Sequence, residues 1–443
     1  MIVFKFGGTS VGSAENIKKV AAIINDCDRD KIVVLSAVSG TTNSLVAINN
    51  CLANDKKEDA LAIINKLELS YDELISELFS VESHHLDAQP FIKTKFEELR
   101  SLTTEATKNE KIILAQGEII STNLFQMYQK QLGNSTALIS ALDFMSIDMN
   151  EEPENEKIKT KLTAILANNK AQTIITQGFI CLNPDNEVDN LKRGGSDYSA
   201  SLIGAAINAE QIQIWTDIDG MHNNDPRYVE NTFPIGEISF DEAAELAYFG
   251  AKILHPQSII PAQKNNIPVL LKNTFNPEAK GTLIKNCHNS TGVRAIAAKD
   301  GIIAIKIKSY RMLMAYGFLN NVFAVFEKYH TPIDMITTSE IAVSLTIDNQ
   351  KYLKEIVEEL NTIGKVEYDT DMSIICLAGN FSHSGKGISA AVLNCLTDVA
   401  IRMISYGGSQ YNISLLVEKN DKIRALNLLN EGLFVQQNKP QEA

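Results

Sequence analysis

A lysine directly before a pair of glycines lies close to the start of the chain. Lys5 belongs to the apolar run 2–6, and Gly7, Gly8 and Ser10 follow it. Because glycine has no Cβ, backbone N–H groups there can approach phosphate oxygens, while the ammonium supplies a full positive charge. A plain glycine turn with a solvent-facing lysine would look the same, so both interpretations stay open. The Walker pattern G-x-x-x-x-G-K-[ST] is absent, which disfavours a P-loop protein.

A second segment combines an arginine, glycines and an aspartate. Arg193 precedes Gly195, Ser196 and Asp197, and the small residues after them predict a helix that begins here. Arginine can hold a carboxylate through two parallel hydrogen bonds, a helix N-terminus favours anions, and an aspartate can hold an ammonium. A free amino acid needs both kinds of partner. The alternative is that Ser196 or Asp197 only caps the helix while Arg193 is solvated.

Three further places offer polar groups that are ambiguous when taken singly. A predicted strand ending at Trp215 runs into a loop that could cradle a nucleotide. This loop carries Thr216, Asp217, His222, Asp225 and Arg227. Turn-forming Asp, Asn, Gly and Pro residues would give a similar composition without a ligand. Lys252 could reach a phosphate or merely complement a helix C-terminus, and Glu118 alone is more typical of a helix start than of a ligand.

Alternating strand and helix patterns separate these segments. Short runs rich in β-branched residues predict strands at residues 2–6, 31–36, 137–140, 173–176 and 211–216. The polar residues after the second strand, including Ser36 and Thr42, suit an active-site loop. From about Leu45 to Gln126, leucine and isoleucine recur every three or four residues, which predicts a helical insertion. The alternation predicts an α/β three-layer sandwich with a mostly parallel sheet.

After Gly281 the pattern changes to smaller units that repeat. A β-α-β-β-α order spans residues 302–360 and recurs over 373–430, a spacing of about 70 residues. Such a repeat predicts two ferredoxin-like α+β modules. The polar tail 436–443 is expected to be disordered.

Length and composition limit the class of protein. With 443 residues, 44% of them hydrophobic, the chain is expected to fold into two or three domains. The formal net charge of −13 argues against a general binder of nucleic acid or anionic membranes, which reward clustered Lys and Arg. No signal peptide or membrane-spanning run is visible, so a cytoplasmic location is expected. The six scattered cysteines favour neither disulfides nor a zinc site.

A series of short motifs occurs along the chain in one order. They are K-F-G-G-T-S-V, S-A-V-S-G-T-T-N, Q-G-E, Q-G-F-I, R-G-G-S-D-Y-S-A, W-T-D-x-x-G, N-D-P-R, F-G-A-K-I-L-H-P, K-G-T and I-T-T-S-E. In these motifs, from Lys5 to about Val417, the chain resembles the aspartokinases of the amino acid kinase family. The resemblance implies transfer of the γ-phosphoryl group of ATP to the β-carboxylate of L-aspartate. The product, 4-phospho-L-aspartate, would enter lysine, threonine and methionine biosynthesis.

The resemblance also implies roles for single residues. Lys5 would stabilise the transferred phosphoryl group, Arg193 would take the α-carboxylate of aspartate, and acidic residues would hold its amino group. Lys5, Arg193 and Asp197 form the implied catalytic set. The implied aspartate site is Ser36, Thr42, Glu118, Phe179, Arg193, Gly195, Ser196 and Asp197. The implied nucleotide site is Lys5, Gly7, Gly8, Ser10, Thr216, Asp217, His222, Asp225, Arg227 and Lys252. No protein metal site is expected, because the ATP phosphates would hold Mg²⁺.

The repeated modules resemble ACT domains, which bind amino acids where two modules pair. On this resemblance the kinase domain is 1–285, the first ACT domain is 300–370, and the second is 292–299 plus 371–435, with the first inserted into the second. Lysine would bind across a homodimer interface, and assembly to a tetramer stays open. The implied pocket is Met312, Phe318, Leu319, Ile333, Asp334, Ser339, Glu340 and Ile341. The alternative is that these residues only build the dimer.

Two segments depart from the family pattern. Family members usually have Thr-Thr-Leu-Gly where this chain has Asp189–Lys192, which changes the charge beside the implied aspartate site. They usually have Tyr-Thr-Thr where this chain has His222–Asn224, which replaces a tyrosine expected against adenine with an imidazole that can still stack. Two alternatives follow: a kinase of another acceptor such as glutamate or acetylglutamate, or a catalytically inactive amino-acid sensor.

Overall fold

The computed structural model describes residues 1–104, 110–192, 194–249, 254–287, 291–312, 316–381 and 386–435. The chain forms two compact units. The first is Met1–Met221, Gly236–Phe240 and Ile253–Cys287, and the second is His222–Ile235, Asp241–Lys252 and His288–Ala443. The tail 436–443, for which we predicted disorder, lies outside the described residues. Within the described ranges, no helix is long and apolar enough to cross a membrane.

The first unit is built on an eight-stranded sheet and a separate two-stranded hairpin. Its strands are β1 (Ile2–Phe6), β2 (Lys31–Leu35), β3 (Thr136–Leu138), β4 (Thr173–Gln177), β5 (Ile180–Leu182), β6 (Val188–Asn190), β7 (Ile212–Thr216), β8 (Glu237–Ile238), β9 (Val269–Asn273) and β10 (Thr282–Ile284). The sheet order is β3-β4-β2-β1-β7-β9-β10-β8, and the hairpin is β5-β6. In the sheet order β3-β4-β2-β1-β7-β9 each strand runs parallel to its neighbours, whereas β10 is antiparallel to β9. The predicted mostly parallel sheet is confirmed.

The first unit also contains helices. They are α1 (Ala14–Asn25), α2 (Thr41–Ala53), α3 (Lys57–Leu78), α4 (Glu82–Leu102), α5 (Glu110–Gln131), α6 (Asn155–Ala167), α7 (Gly195–Ile207) and α9 (Ile260–Lys264), whereas α8 (Phe240–Tyr248) belongs to the second unit except for Phe240. The predicted helical insertion is present as α2 to α5. Every residue of β2 and β4 is buried, as expected for parallel strands covered on both faces. Parallel strands place their carboxyl ends at one edge, where ligands of open α/β sheets bind.

The second unit contains a six-stranded antiparallel sheet with its own helices. They are β11 (Gly292–Lys308), α10 (Phe318–Lys328), β12 (Ile336–Thr338), β13 (Ala342–Ile347), α11 (Leu353–Leu360), β14 (Lys365–Asn380), α12 (Ile388–Asn394), β15 (Ile401–Tyr406), β16 (Asn412–Glu418) and α13 (Lys422–Asn430). The order is β12-β13-β11-β14-β16-β15. Two separate apolar clusters, one around Leu345 and one around Leu415, give each half its own core.

Two long strands join the halves of this sheet. The carboxyl half of β11 pairs with β13, and its amino half pairs with the carboxyl half of β14, which also pairs with β16. The sequence predicted separate short strands near Val293 and Ile302, but they form one strand. Between them the strand has only a local irregularity of register between Asp300 and Ala304, with Gly301 at a φ of +78°.

Candidate active site

A cavity of about 340 Å³ lies at the carboxyl ends of β1, β2 and β4. We call it the strand-end cavity. Its lining is Gly8, Thr9, Ser36, Ala37, Val38, Ser39, Gly40, Thr42, Glu118, Phe179, Gly195 and Ser196. Six residues of the predicted aspartate site therefore meet at one place, although they are widely separated in the sequence. The volume suits a small ligand. A larger cavity of about 550 Å³ against α1, β7 and β9 contains none of the predicted site residues.

Lys5 and Asp197 form an ion pair at the end of β1. The Lys5 Nζ lies 2.6 Å from Oδ1 of Asp197, and the two side chains are only 12% and 15% exposed. Lys5 lies near the carboxyl end of β1, and Asp197 belongs to the first turn of α7. A Cβ added to Gly7 would lie 3.5 Å from the Lys5 Nζ. The ammonium is therefore held beside the glycine turn, and Gly8 of that turn lines the strand-end cavity.

Glu118 brings a buried carboxylate to the cavity from α5. The residue is only 4% exposed, and its Oε1 accepts a hydrogen bond from the Ala37 amide at 3.2 Å. Its Oε2 has no hydrogen-bond partner in the described structure. Burial raises the pKa of Glu118 to about 7, although the Ala37 amide acts in the opposite direction. A cationic ligand group would satisfy the free oxygen and favour the ionised form.

The N-terminus of α7 forms another wall of the cavity. Gly194 precedes it at a φ of +71°, a conformation that favours glycine, and a Cβ there would lie 2.7 Å from the Ser258 side chain. Ser36 donates from Oγ to the Ser196 Oγ at 2.9 Å, which connects the loop after β2 to this helix. The free N–H groups and dipole of a helix N-terminus favour an anion. Arg193, predicted to bind the α-carboxylate, lies outside the described residues.

Phe179 and Gly178 follow β4 on the same side. Phe179 has a φ of +68°, which is unusual for a bulky residue and must be imposed by its surroundings. Its amide donates to the Ser199 Oγ at 2.8 Å. A Cβ on Gly178 would lie 2.4 Å from the Ser196 side chain, so only glycine permits β4 to approach α7 this closely.

The residues that we predicted to contact phosphate take different positions in the first unit. Gly8 lines the cavity, whereas the Gly7 amide donates to the Trp215 carbonyl at 3.3 Å. Ser10 is fully buried, and its hydroxyl is hydrogen-bonded to the Thr274 hydroxyl at 2.7 Å. The side chain of Ser10 is thus engaged inside the protein, and a phosphate contact would have to use its backbone. At the end of β7, Thr216 donates from its hydroxyl to Asp217 at 3.1 Å.

The remaining predicted nucleotide residues belong to the second unit, except Lys252, which lies outside the described residues. Asp225 receives hydrogen bonds from the Arg227 guanidinium at 2.6 to 3.1 Å. Burial acts to raise the pKa of Asp225, but the hydrogen bonds and charge of Arg227 outweigh it and lower that pKa. The His222 Nδ1 lies 3.2 Å from the Thr232 hydroxyl.

The departure at 222–224 has a local structural explanation that the sequence did not reveal. Asn223 and Asn224 are buried, and their side-chain amides donate to the Asn430 Oδ1 at 3.0 Å and to the Leu426 carbonyl at 3.1 Å. The Asn223 Oδ1 accepts from the Phe233 amide at 2.7 Å. These asparagines therefore join the segment to α13 within the second unit. The only available signal was two adjacent amide side chains, which is too common to interpret.

Among the predicted effector residues, Asp334 makes charged contacts inside the second unit. Its side chain is 1% exposed, and its Oδ1 accepts from the Tyr248 hydroxyl at 2.8 Å and from the Lys299 Nζ at 3.2 Å. Lys299 also pairs with Asp348 at 2.8 Å. Burial raises the pKa of Asp334 despite the nearby Lys299 charge. An effector ammonium at Asp334 would have to share this carboxylate with Lys299.

The other predicted effector residues divide by exposure. Ser339 and Glu340 are exposed at the turn between β12 and β13. Phe318 belongs to the core of the half around Leu345, and Met312 and Ile333 pack against that core. Leu319 is 37% exposed on α10, and Ile341 is half-buried. Among the described residues, no cluster of three or more His, Cys, Asp or Glu side chains could hold a metal ion.

Two families match successive parts of the chain. Residues 1–273 match the amino acid kinase family, and residues 375–433 match the ACT domain. The chain is 34% identical to aspartokinase 3, chloroplastic, of Arabidopsis thaliana over 98% of this chain and 81% of that protein. It is 32% identical to lysine-sensitive aspartokinase 3 of Escherichia coli K12 over 98% of this chain and 99% of that protein.

Solved structures give the same relationship. The structure of E. coli aspartokinase III in complex with aspartate and ADP, in the R-state, matches with a TM-score of 0.80 at 30% identity, covering 98% of this chain and 100% of that one. The T-state structure of that enzyme, in complex with lysine and aspartate, matches with a TM-score of 0.80 at 30% identity, covering 98% and 99%.

Proposed function

The chain belongs to the amino acid kinase family as an aspartokinase and is an aspartate kinase, and from that premise we propose that its reaction takes place in the strand-end cavity. One observation supports this most directly. The cavity combines a buried carboxylate with a free oxygen, at Glu118, and the N-terminus of α7. The first suits the ammonium of an amino acid, and the second suits an anion.

In this proposal the two ends of aspartate have separate partners. Glu118 holds the α-ammonium through its free oxygen, and Arg193 takes the α-carboxylate beside the N-terminus of α7. Ser36, Thr42 and Phe179 shape the remaining walls. Because the Asp197 carboxylate is engaged by Lys5, we assign Asp197 to positioning that ammonium.

The chemical step needs no proton transfer. The β-carboxylate of aspartate is ionised near neutral pH, and one of its oxygens forms a bond to the γ-phosphorus of ATP. The bond between that phosphorus and the β,γ-bridging oxygen breaks, and ADP leaves with the electron pair. Lys5 stabilises the charge on the transferred group. Positioning of two reactants can supply roughly 7 to 11 kcal/mol and one preorganised donor about 3 kcal/mol.

The nucleotide is assigned to the glycine turn and to the polar loops that we predicted for it. Gly7, Gly8 and Ser10 would contribute backbone groups, and Thr216, Asp217, His222, Asp225, Arg227 and Lys252 would surround ATP. Mg²⁺ would be held by the ATP phosphates, where it neutralises their charge.

The test is ADP release measured with one acceptor at a time: aspartate, glutamate and acetylglutamate. We expect turnover with aspartate alone, and trapping with hydroxylamine should detect the acyl phosphate. Equal turnover with another acceptor would reassign the substrate. Aspartate binding without any ADP release would instead favour a catalytically inactive sensor.

The second unit is proposed to sense lysine and to form the dimer. Support comes from the E. coli relatives, one described as lysine-sensitive and one solved with lysine. Domain boundaries at 285, 300 and 370 are part of this proposal, and the pairing of the amino half of β11 with β14 supports the insertion of one ACT domain in the other. Assays with lysine, threonine and methionine singly test the effector, and light scattering tests the dimer.

A further inference from the structure

The hairpin β5-β6 connects two parts of the proposed aspartate site. It starts directly after Phe179, and the chain enters α7 shortly after it ends. The Leu191 amide donates to the Phe179 carbonyl at 2.7 Å and closes the base of the hairpin. A two-stranded hairpin is at best marginally stable alone, so its neighbours must fix its position. Phe179, whose φ of +68° is unusual for a bulky residue, lies at the base of this hairpin.

The two strands of the hairpin are held differently. On β5, Leu182 donates to the Met145 carbonyl at 3.0 Å and accepts from the Ile147 amide at 2.9 Å. On β6, Asp189 is held through its side chain, because the Lys111 Nζ of α5 lies 2.6 Å from its Oδ1. These two side chains are 33% and 20% exposed. A partly buried ion pair keeps more of its strength than a fully solvated one.

Lys111 lies on the helix that also carries Glu118. Seven residues separate them, which is close to two turns, so both side chains lie on one face of α5 roughly 10 Å apart along its axis. One position contacts the hairpin and the other lines the strand-end cavity. Helix α5 therefore relates the position of β6 to that of the carboxylate proposed to hold the ammonium.

The neighbouring ion pair provides a contrast. Lys192, in the same unusual segment, pairs with Glu151. Both side chains are about half exposed, at 55% and 49%, and exposed pairs contribute little. Among the residues that differ from the family pattern, Asp189 thus has the more enclosed charged contact.

We propose that Lys111 is a positioning residue for aspartate binding, which acts by holding β6 against α5 through Asp189. This inference rests on the proposed aspartate site in the strand-end cavity. Without the pair, β6 loses its side-chain anchor, and Phe179 at the base of the hairpin loses its fixed position. Binding of aspartate then becomes weaker, whereas the nucleotide-binding groups are unchanged.

The test uses the full chain with Lys111→Met, Asp189→Asn and the double variant. We expect Lys111→Met to raise the KM for aspartate roughly three- to tenfold, with kcat and the KM for ATP within about twofold of the unaltered enzyme. Lys111→Arg should restore most of the affinity. The double variant should bind aspartate no more weakly than the weaker single variant, because the two changes remove one interaction. Lys130→Met, which removes an exposed charge from the same helix, is the matched control and should bind aspartate normally.

Calorimetric titration of each protein with aspartate separates the possible failures. If the unaltered chain does not bind aspartate, both the proposed site and this inference are wrong. If the unaltered chain and Lys111→Met bind aspartate equally well, only the inference is wrong. Fully additive effects in the double variant, or an equal rise in the KM for ATP, would also overturn it. Thermal unfolding monitors the fold, and Asp189→Asn carries the same expectation should Lys111→Met fail to fold.

Discussion

Replacement of Glu118 by glutamine should stabilise the free protein at pH 8 and weaken its binding of aspartate. Glutamine keeps the size of the side chain and can still accept from the Ala37 amide, but it cannot ionise. The carboxylate is buried with one free oxygen, so the folded protein bears the cost of its charge until a cation binds. The same residue thus opposes stability and provides ligand affinity.

The magnitude follows from the raised pKa. Burial raises the pKa of Glu118 to about 7 from its ordinary 4.5. Between these two values the folded protein binds more protons than the unfolded chain, so the free energy of unfolding falls as the pH rises. At 1.36 kcal/mol for each pH unit, the loss reaches about 3 kcal/mol above pH 7. Glu118→Gln should recover up to that amount at pH 8 and much less at pH 5.5.

Aspartate binding should depend on pH in the opposite sense. The proposed ammonium partner is the ionised carboxylate, whose fraction in the free protein falls about tenfold from pH 8 to pH 6 when the pKa is about 7. The KM for aspartate should therefore rise by up to about tenfold over this range. In Glu118→Gln the KM should be high throughout, and this part of its pH dependence should disappear.

Urea unfolding at pH 5.5 and pH 8, with and without the substitution, measures the change in the free energy of unfolding. Initial rates at varied aspartate concentration from pH 6 to pH 8.5 measure how the KM for aspartate depends on pH. Asp72→Asn serves as a control, because it removes a partly exposed carboxylate from α3 in the same unit, away from the strand-end cavity. A variant that is less stable than the parent at pH 8, or that keeps the parental pH dependence of the KM, would refute the reasoning.

Three other substitutions test the remaining assignments. Lys5→Met should lower kcat by about 100-fold or more, the effect of losing one preorganised donor, with little change in the KM for aspartate; a near-normal kcat would contradict its role, and the exposed Lys57→Met is the control. Arg227→Met should raise the KM for ATP several-fold without changing the KM for aspartate, as measured by initial rates at saturating concentrations of the other substrate. Asp334→Asn should weaken inhibition by lysine by roughly 5- to 150-fold, since a coupling energy is typically 1 to 3 kcal/mol; unchanged inhibition would remove Asp334 from the effector site.

Much of the fold was predictable because it depends on local patterns. The β-branched runs that become β1, β2, β4 and β7 are short and buried, so strand propensity and burial agree. The repeated β-α-β-β-α order is also present in the structure, as β11-α10-β12-β13-α11 and β14-α12-β15-β16-α13. The continuity of β11 did not follow from the sequence, because Asp300 and Gly301 would equally suit a turn, and pairing with β14 decides between the two.

The site was predictable in its residue types and less so in its contacts. From residue chemistry alone Glu118 was typical of a helix start, and only the family resemblance implied it in the aspartate site. The helix-start interpretation was wrong, because Glu118 lies inside α5, and its importance depends on burial beside Ala37. Asp197 was predicted to hold the ammonium of the substrate, whereas its nearest cation in the structure is Lys5. Ser10 was predicted to lie beside phosphate, and its hydroxyl proved to be bonded to Thr274.

The sequence by itself determined the class of chemistry, because a lysine beside glycines and ordered motifs resembling those of the aspartokinases require only adjacency along the chain. Tertiary structure alone decided which charges meet. Lys111 and Asp189 are separated by 78 residues, and no local pattern relates them. Their pairing depends on where α5 and β6 pack, and the energy of a charge depends on that burial and on its partner rather than on its neighbours in sequence.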